Sequence, residues 1–146
     1  MSSFADLLAR FDLAAVVPVT PPTTGPHYQA WLERGYYGDM AYLAQPDAVT
    51  RRLDPAAILP DARSIVVVGA NYYALPAFSP FSDHPSRGII ARYAWGEDYH
   101  QVLGARLRLL AASLEAVAGE PLAYRAYVDT GPILERDLAA RAGLGF

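Results

Sequence analysis

The chain has 146 residues, of which 53% are apolar and 18% charged, and carries a formal net charge of −3. That is enough chain for one domain with a core and too apolar for disorder, and the acidic balance gives no general attraction to nucleic acid, which needs clustered Lys and Arg. The absence of Cys excludes disulfides, cysteine zinc sites and iron–sulfur clusters ligated by these residues.

No apolar run approaches the roughly 20 residues of a membrane span. The opening Met1-Ser2-Ser3-Phe4-Ala5-Asp6 lacks the basic, apolar and small-residue order of a signal peptide. A cytoplasmic protein is expected. His27, His84 and His100 are too far apart in sequence to suggest a zinc site.

Ser3 with Asp6 resembles a capping box, and Phe4, Leu7, Leu8 and Phe11 mark one face of the helix it opens. Residues 14–19 form a compact apolar run expected to be a strand. A turn-rich link follows, then a short helix through Tyr28, Trp31 and Leu32 that Gly35 closes. In Gly35-Tyr36-Tyr37-Gly38-Asp39-Met40, two glycines bracket two tyrosines and Asp39 stands where an N-cap would. The tyrosines either cover a pocket or pack in the core. Asp54-Pro55 starts another short helix. Before it, Arg51-Arg52 reads as an anion-binding pair or as a solvated surface pair.

Residues 64–73 hold the strongest strand signal, with an aliphatic run that suggests burial on both faces. A long proline-bearing loop spans Ala74 to Gly88, and residues 88–93 are expected to return as a shorter strand. Asp98 with Gln101 can cap the next helix. That helix shows Leu103, Leu107, Leu110, Leu114 and Val117 on one face and ends at Gly119.

The last unit is strand, turn, helix. Residues 124–128 alternate as a strand does, and Asp129-Thr130-Gly131-Pro132 stops them. Pro132 suits the first helical position. Ile133, Leu134, Leu138 and Ala142 form a buried stripe, and Gly143 ends the helix as a left-handed cap. Asp129 is thus placed at the carboxyl end of a strand beside a helix N-terminus, where ligands of open α/β sheets bind. It reads as a catalytic or cofactor-contacting carboxylate, or as a helix cap. Helices alternate with strands at 14–19, 64–73, 88–93 and 124–128, so the fold class is α+β or α/β. There is no P-loop, no G-x-G-x-x-G and no G-x-S-x-G.

Val128-Asp129-Thr130-Gly131-Pro132-Ile133-Leu134-Glu135-Arg136, with Ala139 and Ala142-Gly143-Leu144-Gly145, resembles the signature of the epoxyqueuosine reductase family. Three stretches agree in order and spacing: 35–40, 70–73 and 91–100. The resemblance implies a cobalamin and iron–sulfur enzyme that reduces the epoxide of epoxyqueuosine in a tRNA anticodon loop to the alkene, fed by an external electron donor. It implies a nitroreductase-like sandwich, a central mixed sheet flanked by helices. Residues 1–146 would be the N-terminal part of that domain, incomplete at its C-terminus. The two 4Fe-4S clusters would be ligated elsewhere, as would most of the tRNA surface, and this piece alone would be inactive.

Carried over by residue, the resemblance implies that Asp129 is the proton donor, with Thr130, Pro132 and Leu134 near the corrin edge. Arg52, Arg92 and Arg136 are candidates for corrin amides or tRNA phosphates, and Met40, Tyr99 and His100 for the substrate side. A non-catalytic corrinoid- or flavin-binding module is the alternative, as is a fragment pairing through an open sheet edge.

Overall fold

The computed structural model describes residues 3–73, 88 and 90–145. Its first helix, α1 (Phe4–Leu8), starts in a complete capping box: the Ser3 hydroxyl accepts from the Asp6 N–H at 3.2 Å, and Asp6 accepts from the Ser3 N–H at 2.7 Å. Two orphan amides are satisfied by one reciprocal pair. The strands β1 (Leu13–Pro18) and β2 (Ser64–Gly69) pair antiparallel, in a register running from Leu13 opposite Gly69 to Pro18 opposite Ser64. Pro18 lies at the end of β1, where a missing N–H costs the ladder least. Between the strands come α2 (Gly25–Glu33), a 3₁₀ turn at Ala41–Ala44, α3 (Pro46–Leu53) and a 3₁₀ turn at Pro55–Ala57. A third 3₁₀ turn, Arg92–Ala94, leads into α4 (Tyr99–Ala118), and α5 (Glu135–Arg141) follows.

The class is α+β. Leu7 of α1, Val17 of β1, Leu110 and Ala111 of α4 and Leu138 of α5 are the buried apolar residues among those described. Helix α1 packs on α4. Large apolar side chains also remain outside: Leu13 and Val16 on β1, and Leu109 and Val117 on α4.

A polar clamp ties α5 to the link after β1. Asp137, only 3% exposed, accepts through one oxygen from the Thr23 hydroxyl at 2.6 Å, the Thr24 N–H at 2.8 Å and the Thr24 hydroxyl at 3.0 Å. Arg141, one turn on, pairs with the other oxygen at 3.4 Å and donates to the Pro18 carbonyl at 3.1 Å. It also donates to the Thr20 carbonyl at 3.3 Å and the Thr20 hydroxyl at 2.5 Å. Burial pushes the Asp137 carboxyl up, but the donors from Thr23, Thr24 and Arg141 together hold it below the usual carboxylate range.

Several expectations are corrected. Residues 124–128 do not form a strand, because among the described residues no neighbour offers them a ladder. In 88–93, Gly88 and Ile90 are irregular and Arg92 begins a 3₁₀ turn; Ile89 lies outside the described residues, as does most of the 74–88 loop. The second strand stops at Gly69, after which the Asn71 N–H donates to Asp12 at 2.9 Å and the ladder ends. Its residues from Ile65 on are half-buried and not covered on both faces. The described sheet is two-stranded and antiparallel, not mixed. Pro132 is not the first helical residue; α5 starts three residues later, with Leu134 at its N-cap. Asp39 caps nothing, since the N-cap of the following 3₁₀ turn is Met40, without a side-chain bond. Other predicted caps hold: Asp54 accepts from the Ala56 N–H at 3.1 Å, and Gly119 and Gly143 are left-handed at φ 76° and 71°. Around Gly143, Leu144 N–H bonds the Ala139 carbonyl and Gly143 N–H the Ala140 carbonyl, both members of a Schellman motif.

Candidate functional site

A cleft of about 530 Å³ opens where the end of β2 meets the start of α4. Asn71 and Tyr72 form one side, Tyr93 and Trp95 a second, and Tyr99 and Arg106 of α4 a third, with Asp129 at the rim. A second cleft of about 470 Å³ lies between α4 and residues 124–128. No carboxylate or histidine lines that one.

The aromatic wall is built locally. The Asn71 side chain accepts from the Tyr73 N–H at 2.8 Å, an Asx turn that carries the chain out of β2. Trp95 donates its indole N–H to the Ile90 carbonyl at 3.0 Å, which fixes the ring across the 3₁₀ turn. Arg92 lies 4.5 Å from the centre of the Tyr73 ring and 5.8 Å from that of Trp95. Tyr93 meets Tyr99 edge to face at 6.1 Å.

The acid–base groups converge at the first turn of α4. Asp98 caps that helix through the His100 N–H at 2.9 Å, and the same oxygen meets His100 Nδ1 at 2.8 Å. With Nδ1 so engaged, Nε2 faces Asp129, 3.9 Å from its carboxylate. The His100 N–H, followed by the ring, holds the Asp98 carboxyl below its ordinary range. Tyr99 donates its hydroxyl proton to Asp129 at 2.8 Å, and that bond pushes the phenol up, so Tyr99 remains a donor.

Asp129 itself sits in an unusual backbone. Its φ is +60°, and the Thr130 N–H bonds the Val128 carbonyl at 2.6 Å across it. This is the γ-turn pattern with positive φ, the rarer and more strained of its two mirror forms. Such strain clusters at functional sites when the surroundings enforce it. Asp61 also has positive φ, but it lies on an exposed turn and does not line the cleft. The Asp129 side chain is 65% exposed and reachable by a large ligand.

Gly131 explains part of the enforcement. A Cβ built there would collide with the Tyr127 side chain, standing 2.6 Å from its Cβ. The chain doubles back so tightly that only glycine fits. Gly131→Ala is expected to destabilise the protein by about 1–3 kcal/mol, read as a lower midpoint in urea. An unchanged midpoint would mean Tyr127 swings aside at no cost.

The other sequence candidates scatter. Arg52 is buried, 5.9 Å from the centre of the Tyr28 ring, and does not line the cleft. Its neighbour Arg51 pairs with Asp47 at 2.7 Å. Thr130 is exposed beside Asp129, Pro132 and Leu134 are half-buried behind the turn, and Arg136 is exposed on α5. Met40, 45% exposed, precedes the Ala41–Ala44 turn and does not line the cleft. Glu135 was not singled out in the sequence. Its carboxylate accepts the Asp129 N–H at 3.0 Å, and burial pushes its carboxyl up. Its signal was there in retrospect: an acid in the first turn of a helix reaching back to a preceding N–H, as in a capping box.

Residues 52–130 match the family described as epoxyqueuosine reductase QueG, DUF1730. An epoxyqueuosine reductase of Synechocystis sp. is 46% identical over 120 residues, 81% of this chain and 38% of that protein. One of Salmonella typhimurium is 40% identical over 124 residues, 83% of this chain and 31% of that protein. The chain therefore spans about a third of the length of these curated relatives. Among solved structures, an epoxyqueuosine reductase with an epoxyqueuosine-modified tRNA-Tyr stem loop is similar at a TM-score of 0.77 and 28% identity, over 98% of this chain and 38% of that one. Another, from Bacillus subtilis with a catalytic aspartate loop swung out of the active site, is similar at 0.70 and 26%, over 97% and 38%.

Proposed function

Because the chain belongs to the epoxyqueuosine reductase QueG family, we propose that it provides the acid side of that reaction: reduction of epoxyqueuosine in a tRNA anticodon loop to queuosine. The observation that carries the reading is Asp129, held on a strained turn at the cleft rim by Tyr99 and facing His100. Converting an epoxide to an alkene consumes two electrons and two protons and releases water. The oxygen must be protonated as its C–O bonds break, or a poor alkoxide or hydroxide leaves. The Asp129 carboxyl is the group at the cleft rim that delivers this proton. Asp98 orients His100, and His100 Nε2 faces the carboxylate from which each proton departs, so the ring reprotonates Asp129 after each of the two transfers. Tyr99 keeps the carboxylate aimed into the cleft throughout.

The cleft fits one face of a corrin: a wall of Tyr72, Tyr93, Trp95 and Tyr99 with Asn71 and Arg106 at its edge offers apolar contact and donors for peripheral amides. Cobalamin bound there would supply the electrons. Arg92, behind Tyr73 and Trp95, stiffens that wall. Thr130, Pro132 and Leu134 belong to the turn that would meet the corrin edge, and Arg136, exposed on α5, would meet a tRNA phosphate. The clusters do not fit these residues. The sequence has no Cys, and among the described residues no three metal-ligating side chains converge, so no step here runs through iron. An external donor feeds the electrons, and the bulk of the tRNA surface belongs to other parts of the enzyme, which acts in the cytoplasm. Among the described residues no helix is long and apolar enough to cross a membrane. The exposed Leu13, Val16, Leu109 and Val117 support a larger nitroreductase-like sandwich in which further strands and helices cover these faces.

Cob(II)alamin added to the purified protein, followed by desalting, tests the cleft. Retention at one equivalent is expected, with a shifted cobalt electron paramagnetic resonance signal and quenched emission from Trp95. Loss of all cobalamin from protein that is folded by circular dichroism would sink the corrin assignment.

A further inference from the structure

We propose that Glu135 is a positioning residue, a latch that holds the Asp129 turn in its working geometry. The inference rests on Asp129 being the proton donor. The positive-φ turn uses the Thr130 N–H and the Val128 carbonyl for its own closure, which leaves the Asp129 N–H to be satisfied from outside. Glu135 Oε1 accepts it at 3.0 Å. A turn in a sparsely populated conformation persists only where its surroundings over-determine it. Here the determinants are the missing Cβ of Gly131, the Tyr99 bond to the side chain and the Glu135 bond to the backbone.

Glu135 is suited to the task by where it stands. It is the first residue of α5, and that helix is anchored two and three residues later by the buried Asp137 and Leu138. The latch is therefore mounted on an element that buried side chains hold in place. Glu135 is half-buried, so its bond to the amide competes less with water than an exposed carboxylate would. Burial, followed in effect by the nearby Asp129 charge, raises its carboxyl, and the Asp129 N–H bond opposes that rise. Without the acceptor, the Asp129 N–H turns to water, φ relaxes to negative values, and the carboxylate leaves Tyr99 and the cleft. The competing role for an acid in a first helical turn is to favour the helix dipole by its charge alone.

The two roles separate in the intact, cofactor-loaded enzyme by comparing Glu135→Ala with Glu135→Gln. The amide of Gln keeps an acceptor oxygen and discards the charge. Glu135→Ala is expected to lower kcat by about 100-fold, the cost of a misplaced reacting group, with KM for the tRNA little changed. Glu135→Gln is expected to restore most of that rate. Selective ¹⁵N-aspartate labelling gives a readout independent of turnover. The Asp129 amide proton, assigned by its loss in Asp129→Asn, is expected downfield in the parent and in Glu135→Gln, and shifted upfield in Glu135→Ala. A Gln variant as slow as the Ala variant overturns the latch in favour of the dipole role. An Asp129 amide unmoved by Glu135→Ala overturns it outright. Full turnover by Asp129→Asn would instead remove the proton-donor reading and the catalytic purpose of the latch with it, while the amide shift would still report whether Glu135 holds the turn.

Discussion

Asp129→Asn is expected to lower turnover of epoxyqueuosine-modified tRNA by about 100- to 10,000-fold, the range lost when a positioned general acid is removed. The substitution isolates the proton because so little else changes. Asn has the same shape, its carbonyl oxygen still accepts from the Tyr99 hydroxyl, and it tolerates positive φ as readily as Asp. Its backbone N–H still meets Glu135. The turn, the cleft wall and the tRNA contacts are thus retained, and KM should stay near the parent value while kcat falls. What disappears is the acidic proton and the carboxylate that His100 faces. Steady-state kinetics on a modified stem loop, with product followed by mass spectrometry, decides it. A variant with parental kcat would show that the proton comes from elsewhere, with Tyr99 the next residue to change.

Much of the local architecture was legible because its causes are local. Ser3 and Asp6 are three residues apart, and the physics that makes them a capping box involves nothing outside that turn. The same holds for Asp98 at the head of a 20-residue helix and for the left-handed glycines that end α4 and α5. The strand pair was readable as two apolar runs, although its pairing spans some fifty residues of sequence and its register was not.

The failures share a different cause. Residues 124–128 alternate as a strand must, yet alternation states only which side chains share a face; a ladder needs a neighbour. Pro132 has the right φ for a helix start, but the close approach of Gly131 to Tyr127 keeps the chain turning until Leu134. Arg51 and Arg52 read as one pair, either anion-binding or solvated on the surface. One turns outward to Asp47 and the other inward over Tyr28, because adjacent helical residues do not face the same way. At the site, the motif around Asp129 was readable by resemblance. The contact with Tyr99, thirty residues earlier, and the bond to Glu135 exist only once the chain is folded.

Asp137→Ala is expected to destabilise the protein by about 3 kcal/mol, the lower end of the cost of breaking a buried ion pair. The lower end applies because Arg141 keeps its bonds to the Pro18 carbonyl and to both oxygens of Thr20, and its side chain is 16% exposed. The loss is still large, since three donors from Thr23 and Thr24 lose their acceptor inside the protein. For a domain with a net stability of about 5–15 kcal/mol, this is a substantial fraction. The pH dependence carries a definite sign. The folded Asp137 carboxyl lies below its unfolded value, so its contribution is present in full above the ordinary carboxylate pKa of about 3.9 and is lost as pH falls from there through the lower folded value. Urea titrations of parent and variant between pH 3 and 7 should therefore converge toward the acid end, with the gap open by pH 5. A gap that stayed constant through that window would mean the threonine bonds, not the charge, make the clamp. A gap below about 1 kcal/mol at neutral pH would place Asp137 among exposed pairs and remove the anchor from which Glu135 reaches Asp129.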